Sequence, residues 1–286
     1  MRTRVFDPTP CALGEGPLWH PERGQFFWFD ILAHRLMSRV EDTTRHWDLG
    51  EHVSAAGWLD KDHLLIASET QLLRFNLETE TSEHVAPLEA DRPDTRSNDG
   101  CADPYGGLWI GTMSKTGAEG QGAIYRYYKG EVRLLYPSIT VSNAMCFAPN
   151  GGHAYFADTG RKTVWRQALD AQGWPKGDPE VYLDMNAAGL RPDGAVVDTE
   201  GRFWCALYGA GQVSVFDEAG AEIAVHPFDA LQTTCPAFGG DGLRDLYVTS
   251  ATQKLSASVL EDGRAHGATF VAEGVGQGQA EHRVVL

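Results

Sequence analysis

The chain has 286 residues, 42% of them hydrophobic and 22% charged, and a formal net charge of −15 at pH 7. That composition describes a globular protein large enough to bury a core without staples, and the acidic balance argues against nucleic acid or an anionic membrane surface as partner. Five scattered cysteines without Cys-x-x-Cys spacing argue against a disulfide framework or zinc knuckle. No apolar run is long enough for a signal peptide or a membrane span, so a cytoplasmic location is expected, with the chain a monomer or weak homo-oligomer.

In chain order, short apolar strands alternate with turns rich in Gly, Pro and Asp. One pattern recurs: a strand, a turn, then a second strand carrying an aromatic. Its copies are EGPLWHPERGQFFWFDI (15–31), AAGWLDKDHLLIASE (55–69), NDGCADPYGGLWIGTM (98–113), NAMCFAPNGGHAYFADTG (143–160), DGAVVDTEGRFWCALYG (193–209) and TCPAFGGDGLRDLYVTSA (234–251). They begin at Glu15, Ala55, Asn98, Asn143, Asp193 and Thr234, in steps of 40, 43, 45, 50 and 41 residues. Further strand-like runs follow the first five copies, such as HRLMSRV and GAIYRYYKG, and no stretch keeps helical periodicity beyond two turns.

Six copies of this length, each with room for four strands, predict an all-β six-bladed β-propeller. Its antiparallel blades surround a central channel, and residues 1–286 form one domain. RTRVFD and EHRVVL at the two ends both look like strands, one completing the other's blade. Trp28, Trp109 and Trp204 hold equivalent positions and are expected between blades. Trp174, in a loop, is a candidate pocket wall. Cys101 and Cys146 read as small core fillers, and His20, His63 and His153, in or beside turns, as surface residues.

In a propeller the innermost strand of each blade runs along the channel, so the first repeat positions form a ring around one mouth. Four of the six carry strong oxygen groups: Glu15, Asn98, Asn143 and Asp193. Facing carboxylates repel unless a cation or proton lies between them. Carboxylate and amide oxygens are hard donors suited to Ca²⁺, Mg²⁺ or Mn²⁺, with Zn²⁺ or Fe²⁺ possible. Each tripeptide alone reads as turn punctuation; recurrence in register favours one divalent cation.

GEGPLW (14–19), RSNDG (96–100), SNAM (142–145), RPDGAVVD (191–198) and CPAFGG (235–240) together resemble the senescence marker protein/gluconolactonase/luciferin-regenerating enzyme family. The resemblance spans nearly the whole chain and implies a six-bladed propeller that hydrolyses sugar lactones with one divalent cation. By motif it implies Glu15, Asn143 and Asp193 as metal ligands, Asp193 as the catalytic carboxylate that orients or activates water, and Arg96 and Asn98 as substrate contacts. Two departures stand out. Ala144 replaces a usual glycine. Ser114-Lys115-Thr116 stands where mammalian-type members carry acidic residues, so Lys115 and Thr116 are expected to meet different substrate groups, Lys115 favouring an anionic one.

Gly-x-Ser-x-Gly, His-Glu-x-x-His and Ser-x-x-Lys are absent. A related propeller esterase or phosphotriesterase remains an alternative. A non-catalytic metal-binding or scaffold propeller is disfavoured, because Gly-His and Trp-Asp signatures do not recur in these repeats.

Overall fold

The computed structural model describes residues 2–286 and contains six four-stranded antiparallel sheets. The first blade holds β2 (Gly14–His20), β3 (Gln25–Asp30), β4 (Arg35–Val40) and β5 (Thr43–Asp48). The second holds β6 (Val53–Asp60), β7 (His63–Ser68), β8 (Gln71–Asn76) and β9 (Ser82–Pro87). The third holds β10 (Thr95–Ala102), β11 (Leu108–Ser114), β12 (Gly122–Tyr128) and β13 (Glu131–Ile139). The fourth holds β14 (Ser142–Phe147), β15 (His153–Asp158), β16 (Thr163–Ala168) and β17 (Glu180–Asp184). The fifth holds β18 (Pro192–Val197), β19 (Phe203–Leu207), β20 (Gln212–Phe216) and β21 (Glu222–Pro227). The sixth takes β22 (Thr233–Gly239), β23 (Asp245–Ser250) and β24 (Thr269–Glu273), and its outer strand is β1 (Arg2–Asp7).

Each inner strand packs against the inner strands of its two neighbours, and β22 returns to β2, which closes the ring. The core is distributed: six hydrophobic clusters occupy the six interfaces between blades. Trp28, Trp109 and Trp204 lie fully buried in three of these clusters, as their repeat position implied. A ring of wedges has no single centre to bury, so each blade presents apolar residues on both faces and keeps polarity for its outer strands.

The turns from inner to second strand explain the recurring Asp. Asp103 Oδ1 accepts from the N–H groups of Tyr105 (2.8 Å) and Gly107 (2.9 Å), and Asp198 Oδ1 from those of Glu200 (3.0 Å) and Arg202 (2.9 Å). Such side chains stand in for a backbone acceptor and fix the turn. In the first blade His20 does this work: its Nδ1 accepts from Arg23 N (3.3 Å) and its Nε2 meets Asp60 O (3.1 Å). His20 is therefore fully buried rather than at the surface.

Two other sequence expectations are corrected. EHRVVL adds no strand to a blade, because β1 already takes the outer edge beside β24. The segment instead crosses the far end of the channel. There Trp58 Nε1 donates to Glu281 O (2.9 Å), and Val284 is buried between the second and third blades. Trp174 does not line the cavity at the channel mouth; it lies over the Arg126 guanidinium at 4.4 Å.

Every inner strand bulges at the same level, just inside the channel mouth. In five blades two residues oppose one: Gly16-Pro17, Asn98-Asp99, Ala144-Met145, Asp193-Gly194 and Thr234-Cys235. The bulges shift the ring expected from the repeat. Glu15 and Asn143 are the last paired residues before their bulges, whereas Asn98 and Asp193 are the first bulged residues. A bulge re-aims side chains and deepens the twist, which lets unequal repeat positions converge on one point. At Gly16 (φ +52°) a Cβ would sit 2.1 Å from Ser54 O, so the bulge beside Glu15 requires glycine.

Candidate active site

A cavity of about 490 Å³ opens at the mouth where the inner strands begin. Its floor is made by Glu15 from β2, Arg96 and Asn98 from β10, Asn143 from β14 and Asp193 from β18. These five expected residues come together, and each is no more than 6% exposed. Lys115 and Thr116 also line the cavity, on the loop after β11. The Lys115 ammonium is engaged, with Nζ 3.0 Å from Glu69 Oε1, and Glu69 in turn contacts His52. Asp99 lies beneath the floor and holds two blades together, accepting from Gly100 N (2.8 Å) and Met145 N (3.1 Å).

A chain of hydrogen bonds runs across three blades and fixes the floor. Arg96 Nη1 donates to Asn98 Oδ1 (2.9 Å), and Asn98 Nδ2 to Asn143 Oδ1 (3.1 Å) and Ser142 O (2.8 Å). Asn143 Nδ2 donates to Thr159 Oγ1 (2.8 Å), whose hydroxyl donates to Pro192 O (2.6 Å) beside Asp193. With its amide nitrogen tied to Thr159, Asn143 keeps its oxygen on the opposite side. Among the described residues the hydrogen bonds that hold Arg96 use Nη1 alone, which leaves Nη2 and Nε without a protein acceptor.

The electrostatics are strained. Burial, followed by the charges of Asp193 and Asp99, pushes the Glu15 carboxyl well above its ordinary range. Asp193 is likewise raised, by burial and then by Asp99. Burial brings Asp99 to about 6 although two N–H groups oppose the shift. Burial lowers Arg96 to about 10, and the facing carboxylates keep it protonated at neutral pH. One guanidinium therefore faces a cluster of buried acids.

Two carboxylates and an oriented amide oxygen on three blades fit a hard divalent cation, whose charge would relieve that repulsion. Among the described residues no three His, Cys, Asp or Glu side chains form a metal-binding cluster, so the candidate donors are two carboxylates and the Asn143 amide. Farther down the channel Cys101, Cys146 and Cys235 line a narrow space of about 40 Å³. Burial raises their thiols, which makes them unreactive fillers.

The raised carboxyls give a stability prediction with a definite sign. Folding raises their pKa, so the native state holds protons that the unfolded chain has released. Without a cation, stability falls as pH rises from about 4 through 6 and beyond. Chelator-treated protein is expected to melt lower at pH 8 than at pH 5, adding a divalent cation at pH 8 should raise the midpoint, and Glu15→Gln should flatten the pH dependence. A chelator-treated midpoint that climbs with pH, unchanged by Glu15→Gln, would contradict this assignment.

The sequence reading missed His52, Lys162, Arg191, Tyr208 and Lys254, which complete the walls and rim. Most lie in connections of unequal length and carry no periodic signal. Arg191, directly before Pro192-Asp193-Gly194, was the one detectable from its motif.

Comparison with known proteins places the chain in context. A family model described as SMP-30/Gluconolactonase/LRE-like region matches residues 13–252. A solved structure of a calcium-binding protein, regucalcin, from Agrobacterium tumefaciens is 38% identical, covers 100% of this chain and 98% of its own, and superposes with a TM-score of 0.97. A pentonolactonase of Haloferax volcanii is 32% identical across 98% of this chain and 97% of its own. A 6-deoxy-6-sulfogluconolactonase of Pseudomonas putida is 29% identical across 91% of each.

Proposed function

We propose that this chain, which belongs to the SMP-30/gluconolactonase/LRE-like family, hydrolyses a sugar lactone to its aldonic acid with the help of one divalent cation. Lactonases among its relatives support lactone hydrolysis. Their names differ in the sugar, so the ring is not carried over. A neighbour named as calcium-binding supports a divalent ion without fixing which one. The observation that carries the reading is the pair of buried carboxylates, Glu15 and Asp193, facing one cavity beside an oriented amide.

Glu15, Asn143 and Asp193 would hold the cation. When bound, it supplies an electrophile for the lactone carbonyl and acidifies neighbouring water. Asp193 accepts a hydrogen bond from the attacking water and takes up its proton as the oxygen adds to the carbonyl carbon. The ring C–O bond then breaks, the departing oxygen takes back the proton held by Asp193, and a hydroxy acid leaves. A lactone is held in the less stable s-cis ester geometry, so no covalent nucleophile is needed. Arg96 offers Nη2 and Nε to substrate hydroxyls or to the developing carboxylate. Asn98 is already bonded on both sides, so it supports the floor and offers its remaining carbonyl lone pair.

The test is a panel of aldonolactones assayed after chelation and after return of single cations (Ca²⁺, Mg²⁺, Mn²⁺, Zn²⁺, Fe²⁺). Turnover should vanish on chelation and return with at least one ion. Full activity of the stripped protein would overturn the cation, and greater activity on aryl esters or phosphotriesters would overturn the substrate class.

A further inference from the structure

The rim of the cavity differs in charge from the molecule that carries it. The whole chain has 39 acidic and 24 basic residues. Around the cavity this reverses: Arg96, Lys115, Lys162, Arg191 and Lys254 line it, against Glu15 and Asp193. Both carboxylates lie on the floor, where Arg96 faces them. Lys115 is neutralised by Glu69. Lys162, Arg191 and Lys254 remain, and among the described residues none of the three is ion-paired.

These three come from adjacent blades. Lys162 is in the turn between β15 and β16, Arg191 immediately precedes β18, and Lys254 follows β23. The backbone does not select lysine at two of these places. Lys162 (φ 53°) and Lys254 (φ 60°) adopt the left-handed conformation that glycine or asparagine takes more readily. The opposite arc, from the first two blades, contributes Leu13, Leu32 and His52. The unpaired rim cations thus lie on one side.

Lysine and arginine donate hydrogen bonds and accept none. A sugar hydroxyl both donates and accepts, so a wall built for neutral hydroxyls needs acceptors too. This arc sets three unpaired cations at the rim, beside the neutral polar side chains Thr159, Tyr208 and Gln253 and with no carboxylate above the floor. Three cations exceed what neutral hydroxyls call for and complement a group that only accepts: an oxyanion.

We infer that the substrate carries an anionic substituent, such as a phosphate, sulfonate or carboxylate, on the end remote from the lactone carbonyl, held by Lys162, Arg191 and Lys254. The inference rests on the lactonase reading and specifies its substrate. Local positive potential in an otherwise acidic protein would also draw that anion to the correct mouth of the channel.

The experiment compares D-glucono-1,5-lactone with its 6-phosphate and with glucarolactone, whose far carbon is a carboxylate, after subtraction of spontaneous hydrolysis. At low salt an anionic lactone is expected to exceed the neutral one in kcat/KM by about tenfold or more, and about 0.5 M salt should shrink the advantage. The phosphate and carboxylate arms report which oxyanion the arc fits. Lys162→Gln, Arg191→Gln and Lys254→Gln should each reduce the anionic-to-neutral ratio by about threefold or more. Turnover of the neutral lactone with equal or poorer use of both anionic ones would overturn the inference alone. Variants that lower all the rates in proportion would overturn it as well. Turnover of no lactone would remove the lactonase reading and this inference together.

Discussion

Asp193→Asn is expected to leave the propeller folded and to lower kcat/KM for the preferred lactone by about a thousandfold, the scale of removing a general base together with an electrostatic contact. The replacement is nearly isosteric, so the bulge at Asp193-Gly194 and the packing beneath it keep their shape. It also removes one of the buried charges that push Glu15 upward. The metal-free variant should therefore melt no lower than the metal-free parent at pH 8, while its affinity for the cation falls. Thermal melting, cation titration by calorimetry and lactone kinetics separate these effects. A variant that keeps a tenth or more of parental turnover would remove Asp193 from the chemistry.

The largest effect on stability is expected far from the cavity. Arg126 and Asp103 form an ion pair at 2.7 Å with both side chains 0% exposed. Asp103 also fixes the turn after β10, and Arg126 lies between the rings of Tyr128 and Trp174, each at 4.4 Å. Among the described residues Arg126 Nη1 and Nη2 have no hydrogen-bond partner, so those rings and Asp103 supply what replaces water around the charge. Asp103→Ala strands a guanidinium in the interior and frees the turn. Breaking such a pair costs about 3–5 kcal/mol, which for a chain of this size lowers the melting temperature by roughly 10 °C. Differential scanning calorimetry measures it. Asp103→Ala combined with Arg126→Met should recover much of the loss, since the uncompensated charge is then gone. A single variant that melts within about 2 °C of the parent would show the pair to be dispensable.

The fold was legible because a propeller repeats its physics: each blade must bury two faces and turn at the same places, which imprints a period on the sequence. Glu15, Asn143 and Asp193 were legible for the same reason, as oxygen donors at positions where repetition invites apolar residues. The bulge was not. It is a property of pairing, visible only when Trp28 is seen to oppose two residues, Gly16 and Pro17, instead of one. His20 was misread because a turn suggests solvent; here the ring serves as the acceptor that closes the turn. EHRVVL alternates like a strand, but strand character needs a free edge and β1 had taken it. The rim cations escaped because their connections differ in length from blade to blade, so no register relates them.

The borrowed outer strand of the sixth blade has a consequence for the order of assembly. Five blades are contiguous in sequence and can complete themselves as the ribosome delivers them. The sixth cannot, since β1 is synthesised first and its partner β24 emerges more than 250 residues later. Until then β1 is an unsatisfied edge, and joining the two closes a loop nearly as long as the chain, at an entropic cost of roughly 5 kcal/mol. The sixth blade is thus expected to be the last to close during biosynthesis.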